Sequence, residues 1–79
     1  NFIPRIRSIE AVIEELELFH WRVTTDAGAR SFLVSRHEYP RTLPGGAVLL
    51  KDVGGDLYLI DDPRALDAKS LKRLWVYLD

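Results

Sequence analysis

The stretch His20–Val34, HWRVTTDAGARSFLV, decides the fold, because two runs of alternating polar and apolar residues flank a short acidic turn. In the first run, Trp21 and Val23 fall on the same face as the preceding Phe19. Alternation with a period of two, carried by aromatic and β-branched residues, is typical of a β-strand. The stretch therefore predicts a β-hairpin.

The break in this stretch, DAG at residues 26–28, makes Asp26 either a working carboxylate or a turn residue. A type I turn through Asp26 and Ala27, followed by Gly28 at positive φ, fits the three residues. Glycine suits that last position because a Cβ would penalise positive φ. We therefore interpret Asp26 as a residue of the hairpin turn.

A second hairpin is predicted from the β-rich runs AVLLKDV, residues 47–53, and LYLIDD, residues 57–62. Gly54 and Gly55 join the runs, and two glycines suit a tight primed turn in which both have positive φ. Between the two hairpins, RHEYPRTLPGG contains two prolines and two glycines. This loop, residues 36–46, is predicted to hold at most one helical turn near His37.

The tail of the chain contains two signals for the start of a helix. Asp62 can cap a short turn that begins at Pro63, and Asp67 can cap a longer helix. Apolar residues in this helix recur at i, i+3, i+4 and i+7, which predicts one buried stripe. The stripe consists of Leu71, Leu74, Trp75 and Leu78.

The start of the chain fits a helix and a strand. Residues 8–16, SIEAVIEEL, have a serine cap and apolar residues at helical spacing, but Ile9, Ala11 and Ile13 also alternate. We favour a strand over Ile3–Val12, because the other strands need a neighbour and a two-turn helix would be marginal. The predicted fold class is α+β: one antiparallel sheet of four to five strands built from hairpins, with the C-terminal amphipathic helix packed on one face.

Composition limits the functional classes. The 79 residues, 47% hydrophobic and 29% charged, predict one small globular domain, residues 1–79. A net charge of −1 gives no sequence-wide attraction to nucleic acid or to an anionic membrane. The sequence has no signal peptide and no spanning segment, so we expect a cytoplasmic location without membrane insertion. Because the chain starts at Asn1, we expect it to be a fragment of a longer polypeptide.

Few residues are placed for catalysis. Cysteine is absent, and His20 and His37 lie too far apart in the sequence to indicate a metal site. Ser31, Ser35 and Ser70 stand in no nucleophile motif, and the glycine pairs lack phosphate-binding spacing. We therefore predict no catalytic, metal-binding or cofactor-binding residue, no cofactor and no enzymatic activity.

Four aspartates remain as candidate ligand-binding residues. Their positions beside glycine, proline and helix starts favour turn and capping roles. As an alternative, their carboxylates would meet arginine side chains of a small ligand or peptide. The four are Asp52, Asp56, Asp61 and Asp62.

The strand runs FLV, AVLL and LYLI are apolar on both faces, and one helix cannot cover both faces of a sheet. An exposed sheet face or edge is therefore predicted as a contact surface. Its occupant would be a protein partner or a second copy of the chain.

Several ordered motifs resemble a bacterial domain of unknown function. They are FIPRI at Phe2–Ile6, W.V.TD.G at Trp21–Gly28, F.V at Phe32–Val34, LL.D..G..Y.I.D from Leu49, and LD..S at Leu66–Ser70. The chain is similar to the C-terminal half of that family, which occurs alone or fused to ABC transporters in gene neighbourhoods linked to cyanophycin metabolism. It departs from the family at Ala27, Ala29 and Leu71, where members favour Arg, Pro and Arg.

This resemblance implies an accessory role without known catalysis. It implies a cytoplasmic domain, tethered to the inner membrane through an ABC transporter, that docks or modulates the transporter. For the alternative function as a sensor, it implies Arg-containing peptides derived from cyanophycin as ligands.

Overall fold

Two antiparallel sheets of three strands, in place of the single predicted sheet of four to five, form the β-part of the fold. The structure is a computed structural model that describes residues 2–78. The sheets have the strand orders β1-β2-β3 and β4-β5-β6. The strands are β1 Ile6–Glu15, β2 Leu18–Thr25, β3 Gly28–Ser35, β4 Arg41–Thr42, β5 Val48–Lys51 and β6 Leu57–Ile60; a 3-10 helix, Pro63–Ala65, and the α-helix α1, Ala68–Trp75, follow.

The hairpin of β2 and β3 confirms the interpretation of the opening stretch. Thr25 pairs with Gly28 across the turn, and Gly28 has φ 101°. The Thr25 hydroxyl accepts a hydrogen bond from the Ala27 amide at 3.0 Å and donates one to the Gly28 carbonyl at 2.8 Å. As predicted, Trp21 and Val23 point to the buried face.

Strand β1 confirms the choice of a strand over a helix, although it runs over Ile6–Glu15 and not over Ile3–Val12. Its pairing with β2 shifts register between Ile6 and Ser8 and again between Ile9 and Ala11. Such β-bulges bend a strand and take residues out of the regular ladder. They explain why strict alternation is weak in this part of the sequence.

The second hairpin is present, but its turn is wider than the predicted primed turn. Gly55 has φ 92°, whereas Gly54 does not take positive φ. The Asp52 amide bonds to the Asp56 carbonyl at 2.9 Å, and the Gly55 amide to the Asp52 carbonyl at 3.0 Å. Five residues therefore form the loop between β5 and β6.

The loop between the hairpins explains the division into two sheets. Residues 36–47 contain two prolines and the positive-φ residues Gly45 and Gly46, and they carry the chain from β3 into the second sheet. The prediction of a loop over residues 36–46 is wrong at Arg41–Thr42, because these two residues pair with β5 as the short strand β4. A single turn follows β3, because the Glu38 amide bonds to the Ser35 carbonyl at 3.0 Å. The two sheets then turn their apolar inner faces toward each other.

A shared aromatic layer links the inner faces. The rings of Phe32 in the first sheet and Tyr58 in the second stack at 3.9 Å, tilted by 9°. Trp21 lies parallel to Phe32 with a centroid distance of 6.3 Å. The loop between β5 and β6 also contacts the edge strand β3, where the Val53 amide donates to the Leu33 carbonyl at 2.8 Å. The buried hydrophobic core comprises Ile6, Ile9, Phe19, Trp21, Val23, Phe32, Val34, Val48, Leu50, Tyr58, Ile60 and Leu74.

The C-terminal helix begins as predicted but buries a different set of residues. The Asp67 carboxylate caps α1 by accepting from the Ser70 amide at 3.2 Å. Leu74 is fully buried, but Trp75 is 70% exposed, so its place in the predicted stripe is wrong. The helix ends at Trp75, and Tyr77 turns inward to lie 5.0 Å from Phe19. The inner position expected for Trp75 is thus filled by Tyr77.

Candidate functional site

The four candidate aspartates do not form one cluster. Asp52 and Asp56 flank the turn before β6, and Asp61 and Asp62 follow its end. A strand rises by about 3.3 Å per residue, so Asp56 and Asp61 lie roughly 17 Å apart along the chain. A ligand would therefore meet two separate acidic pairs.

Asp52 organises the turn of the second hairpin. One carboxylate oxygen, Oδ1, accepts from the backbone amides of Gly54 and Asp56, each at 2.9 Å. The other, Oδ2, accepts from the Tyr58 hydroxyl at 2.9 Å. Burial, with the hydrogen bond to Asp52 as the second cause, raises the pKa of Tyr58 to about 12. The Asp52 carboxylate thus has three partners within the chain.

The second pair of aspartates also has partners within the chain. Asp61 forms an ion pair with Arg5, with 2.7 Å between Oδ1 and Nη1. Asp62 caps the 3-10 helix and accepts from the Arg64 amide at 3.0 Å and from Arg64 Nε at 3.2 Å. These hydrogen bonds hold the pKa of the exposed Asp62 carboxyl below its ordinary value. Ligand binding by the four aspartates stays a prediction.

The substitution Asp52→Asn tests the role of Asp52. The amide oxygen can still accept from the turn, but the NH₂ group cannot accept the Tyr58 hydroxyl proton. We expect the pKa of Tyr58 to fall from about 12 toward its ordinary value of 10.0. The difference in alkaline phenolate absorbance between each protein and its Tyr58→Phe partner measures this pKa.

The matched control is Asp56→Asn, because Asp56 raises the pKa of Tyr58 only through a weaker coulombic contribution. A raised native pKa stabilises the fold below pH 10, and this contribution is lost as the pH rises from about 10 to 12. Alkaline unfolding of Asp52→Asn should therefore depend less on pH in that window. Equal Tyr58 titrations in both aspartate variants would contradict this role.

Asp26 is a hairpin residue with a second task that the sequence did not indicate. Its Oδ1 accepts from the Arg5 amide at 2.9 Å, and its own amide donates to the Arg5 carbonyl at 3.0 Å. Arg5 also forms a bridge with Leu59 of β6. The segment before β1 therefore ties the first hairpin turn to the second sheet.

Ser70 is a buried anchor and is not placed as an exposed nucleophile. Its Oγ accepts from the Ile9 amide at 2.8 Å and lies 3.3 Å from the Ile9 carbonyl oxygen. Arg73 Nη1 donates to the same carbonyl at 2.9 Å. The helix thus binds the backbone of Ile9 in β1, an edge strand of the first sheet. This contact accounts for the serine of the LD..S motif.

The two histidines lie apart on the surface of the first sheet and its loop. His20 is half-buried in β2, and His37 is exposed with Nε2 3.3 Å from Glu17 Oε1. Within residues 2–78, no group of three His, Cys, Asp or Glu side chains is arranged to hold a metal ion. The same part of the chain contains no helix that is long and apolar enough to cross a membrane.

The outer side of β5 and β6, together with the segments beside it, contains two neighbouring grooves. We call it the outer face; it consists of Phe2, Ile3, Tyr39, Leu49 and Leu57. A groove of about 290 Å³ includes Tyr39, Leu49 and Leu57, and a second of about 370 Å³ includes Phe2, Ile3 and Leu57. Leu57 lines both grooves and so connects them.

Mixed charges surround the outer face. Arg41 and Lys51 supply positive charge, and Glu38 and Asp56 supply negative charge. Strand alternation explains the arrangement, because Val48 and Leu50 face the core while Leu49 between them faces outward. The prediction of strands that are apolar on both faces is thus confirmed for this hairpin.

Residues 1–77 match the family model of DUF1854, a domain of unknown function. Neither the curated proteins nor the solved structures contain a match. The family match covers nearly the whole chain, and we conclude that this protein belongs to the DUF1854 family.

Proposed function

We propose that this domain is a non-enzymatic accessory module that binds a protein partner through the outer face. The observation that carries the proposal is that two grooves, each lined by apolar and charged side chains, meet at Leu57. Tyr39, which is 56% exposed, stands at one groove, and Phe2, which is 69% exposed, stands at the other. Aromatic side chains that are exposed around apolar grooves are typical of the residues that anchor protein interfaces.

The charges around the outer face favour a protein over other partners. Two basic and two acidic residues, Arg41, Lys51, Glu38 and Asp56, surround it. A polar rim around an apolar centre is the usual anatomy of a protein interface. Nucleic acid would require a predominantly basic surface, which this balance does not supply.

The resemblance to domains fused to ABC transporters supports a transporter module as the partner. We propose that the outer face docks on a transporter module and so holds the domain in the cytoplasm near the inner membrane. A second copy of the chain is the competing occupant. The two differ in a measurable way, because self-association depends on the concentration of the domain alone.

The double substitution Leu49→Ser and Leu57→Ser tests this surface. Both side chains are half-buried on the outer face, so the variant should keep its fold. We expect its affinity for the purified transporter polypeptide to fall tenfold or more, because removal of central interface anchors costs about 1–2 kcal/mol each. Calorimetric titration measures the affinity, and light scattering after size exclusion measures self-association.

Leu16→Ser is the matched control. Leu16 is 90% exposed in the turn between β1 and β2, outside the outer face. The variant should therefore bind as the unchanged chain does. Equal affinity of the double variant and the control would remove the outer face as the docking site. A strictly monomeric chain that binds no transporter polypeptide would contradict the proposed function itself.

A further inference from the structure

The solvent face of α1 concentrates positive charge that the whole chain lacks. Residues 68–78, AKSLKRLWVYL, contain three cations and no acid, although the net charge of the chain is −1. The cations are Lys69, Lys72 and Arg73. Lys69 and Lys72 are exposed, while Arg73 is half-buried and donates to the backbone of β1. This surface lies on the helix and is separate from the outer face.

Two exposed apolar side chains lie among these cations. Trp75 is 70% exposed and Val76 is 72% exposed. Val76 shares an open groove of about 430 Å³ with all three cations, whose aliphatic stems make most of its lining apolar. Because Ser70 and Leu74 fix the opposite side of α1 against the fold, neither apolar residue can turn inward without undocking the helix.

We propose that this surface of α1, formed by Lys69, Lys72, Arg73, Trp75 and Val76, adsorbs to anionic lipid headgroups. Lysine ammonium groups near the surface attract anionic lipids, and an exposed tryptophan enters the interface between headgroups and acyl chains. The helix lies on the bilayer and does not cross it. The proposal is independent of the proposed function at the outer face.

The composition of the surface favours a lipid over an acidic protein. Lysine is depleted at the centres of protein interfaces, whereas lysine and tryptophan together are typical of helices that lie in the membrane interface. The exposed apolar residues Trp75 and Val76 lie together at the C-terminal end of the helix, where they can enter the interface of a lipid layer. Charge complementarity then selects anionic headgroups over neutral ones.

Sedimentation with lipid vesicles tests the proposal. We expect binding to vesicles of phosphatidylcholine and phosphatidylserine in equal parts, and much weaker binding to phosphatidylcholine alone. Lys69→Gln and Lys72→Gln should each weaken binding about fivefold, because each cation near an anionic surface contributes about that factor. Added salt should weaken binding as well. Arg22→Gln, which removes an exposed cation from β2, is the matched control and should bind as the unchanged chain does.

Tryptophan fluorescence provides a readout that does not depend on sedimentation. The chain has two tryptophans, and Trp21 is buried in the core, so a change in solvent around Trp75 dominates the response. Anionic vesicles should shift the emission to shorter wavelength, and Trp75→Phe should abolish this shift. Circular dichroism checks that each variant is folded.

Three results would overturn the proposal. These are equal binding to neutral and anionic vesicles, unchanged binding of both helix lysine variants, or an unchanged emission of Trp75 on vesicles. Binding to polyglutamate but not to anionic vesicles, weakened by the same lysine variants, would assign the surface to an acidic protein partner instead. Each of these results leaves the test of the outer face unaffected.

Discussion

Replacement of Trp21 by alanine is expected to lower the free energy of unfolding by about 3–5 kcal/mol. Trp21 is 1% exposed and packs between Phe32, at 6.3 Å, and Tyr77, at 5.6 Å. Its loss would open a cavity that separates the first sheet from the C-terminal segment. A domain of this length has a total stability of about 4–12 kcal/mol, so the variant should be largely unfolded at the lower end of that range.

Urea denaturation followed by far-ultraviolet circular dichroism measures this loss. Trp21→Phe is the control and should lose less stability, because it keeps an aromatic ring in the same layer. It also removes the indole Nε1, a buried donor for which residues 2–78 provide no hydrogen-bond partner. An unfolding free energy of Trp21→Ala within about 1 kcal/mol of the unchanged chain would show that this aromatic layer does not hold the first sheet and the C-terminal segment together.

Both hairpins were predictable because the sequence signals of a hairpin are local. Alternation around Trp21 and the glycine at position 28 determine the first hairpin without reference to the rest of the chain. The caps at Asp62 and Asp67 are equally local, and both are confirmed by hydrogen bonds to amides two or three residues ahead. In each case, the chemistry of one turn determines the structure.

The division into two sheets was not predictable from the same signals. An apolar run that faces another sheet has the same pattern as a run that joins its neighbour edge to edge. The stacking of Phe32 on Tyr58 chooses between these arrangements, and it joins residues on different hairpins. The prediction for Trp75 was wrong for a related reason. Helical spacing does not indicate which side of a helix faces the fold, and the buried side of α1 contains Ser70 and Leu74 but not Trp75.

The candidate site was predicted in part. The sequence indicated an exposed apolar strand face, and Leu49 and Leu57 provide it. It also indicated acidic residues, but the structure places partners inside the chain for Asp52, Asp61 and Asp62. Sequence patterns identify residues that can bind a ligand, but the folded structure determines which of them already form hydrogen bonds or ion pairs within the chain.

Ser70→Ala is expected to lower the free energy of unfolding by about 1–3 kcal/mol, because it leaves the buried Ile9 amide without its acceptor. Arg73 would still donate to the Ile9 carbonyl, so the loss falls on the amide alone. The exposed Ser31→Ala is the control and should stay within about 0.5 kcal/mol. Urea denaturation measures the stability of both variants, and hydrogen exchange should show faster exchange at the Ile9 amide in Ser70→Ala.

Unchanged protection of the Ile9 amide in Ser70→Ala would mean that the helix docks through Leu74 and Tyr77 without the serine. Faster exchange with little loss of stability would mean that β1 keeps its structure without the hydrogen bond from the Ile9 amide to Ser70.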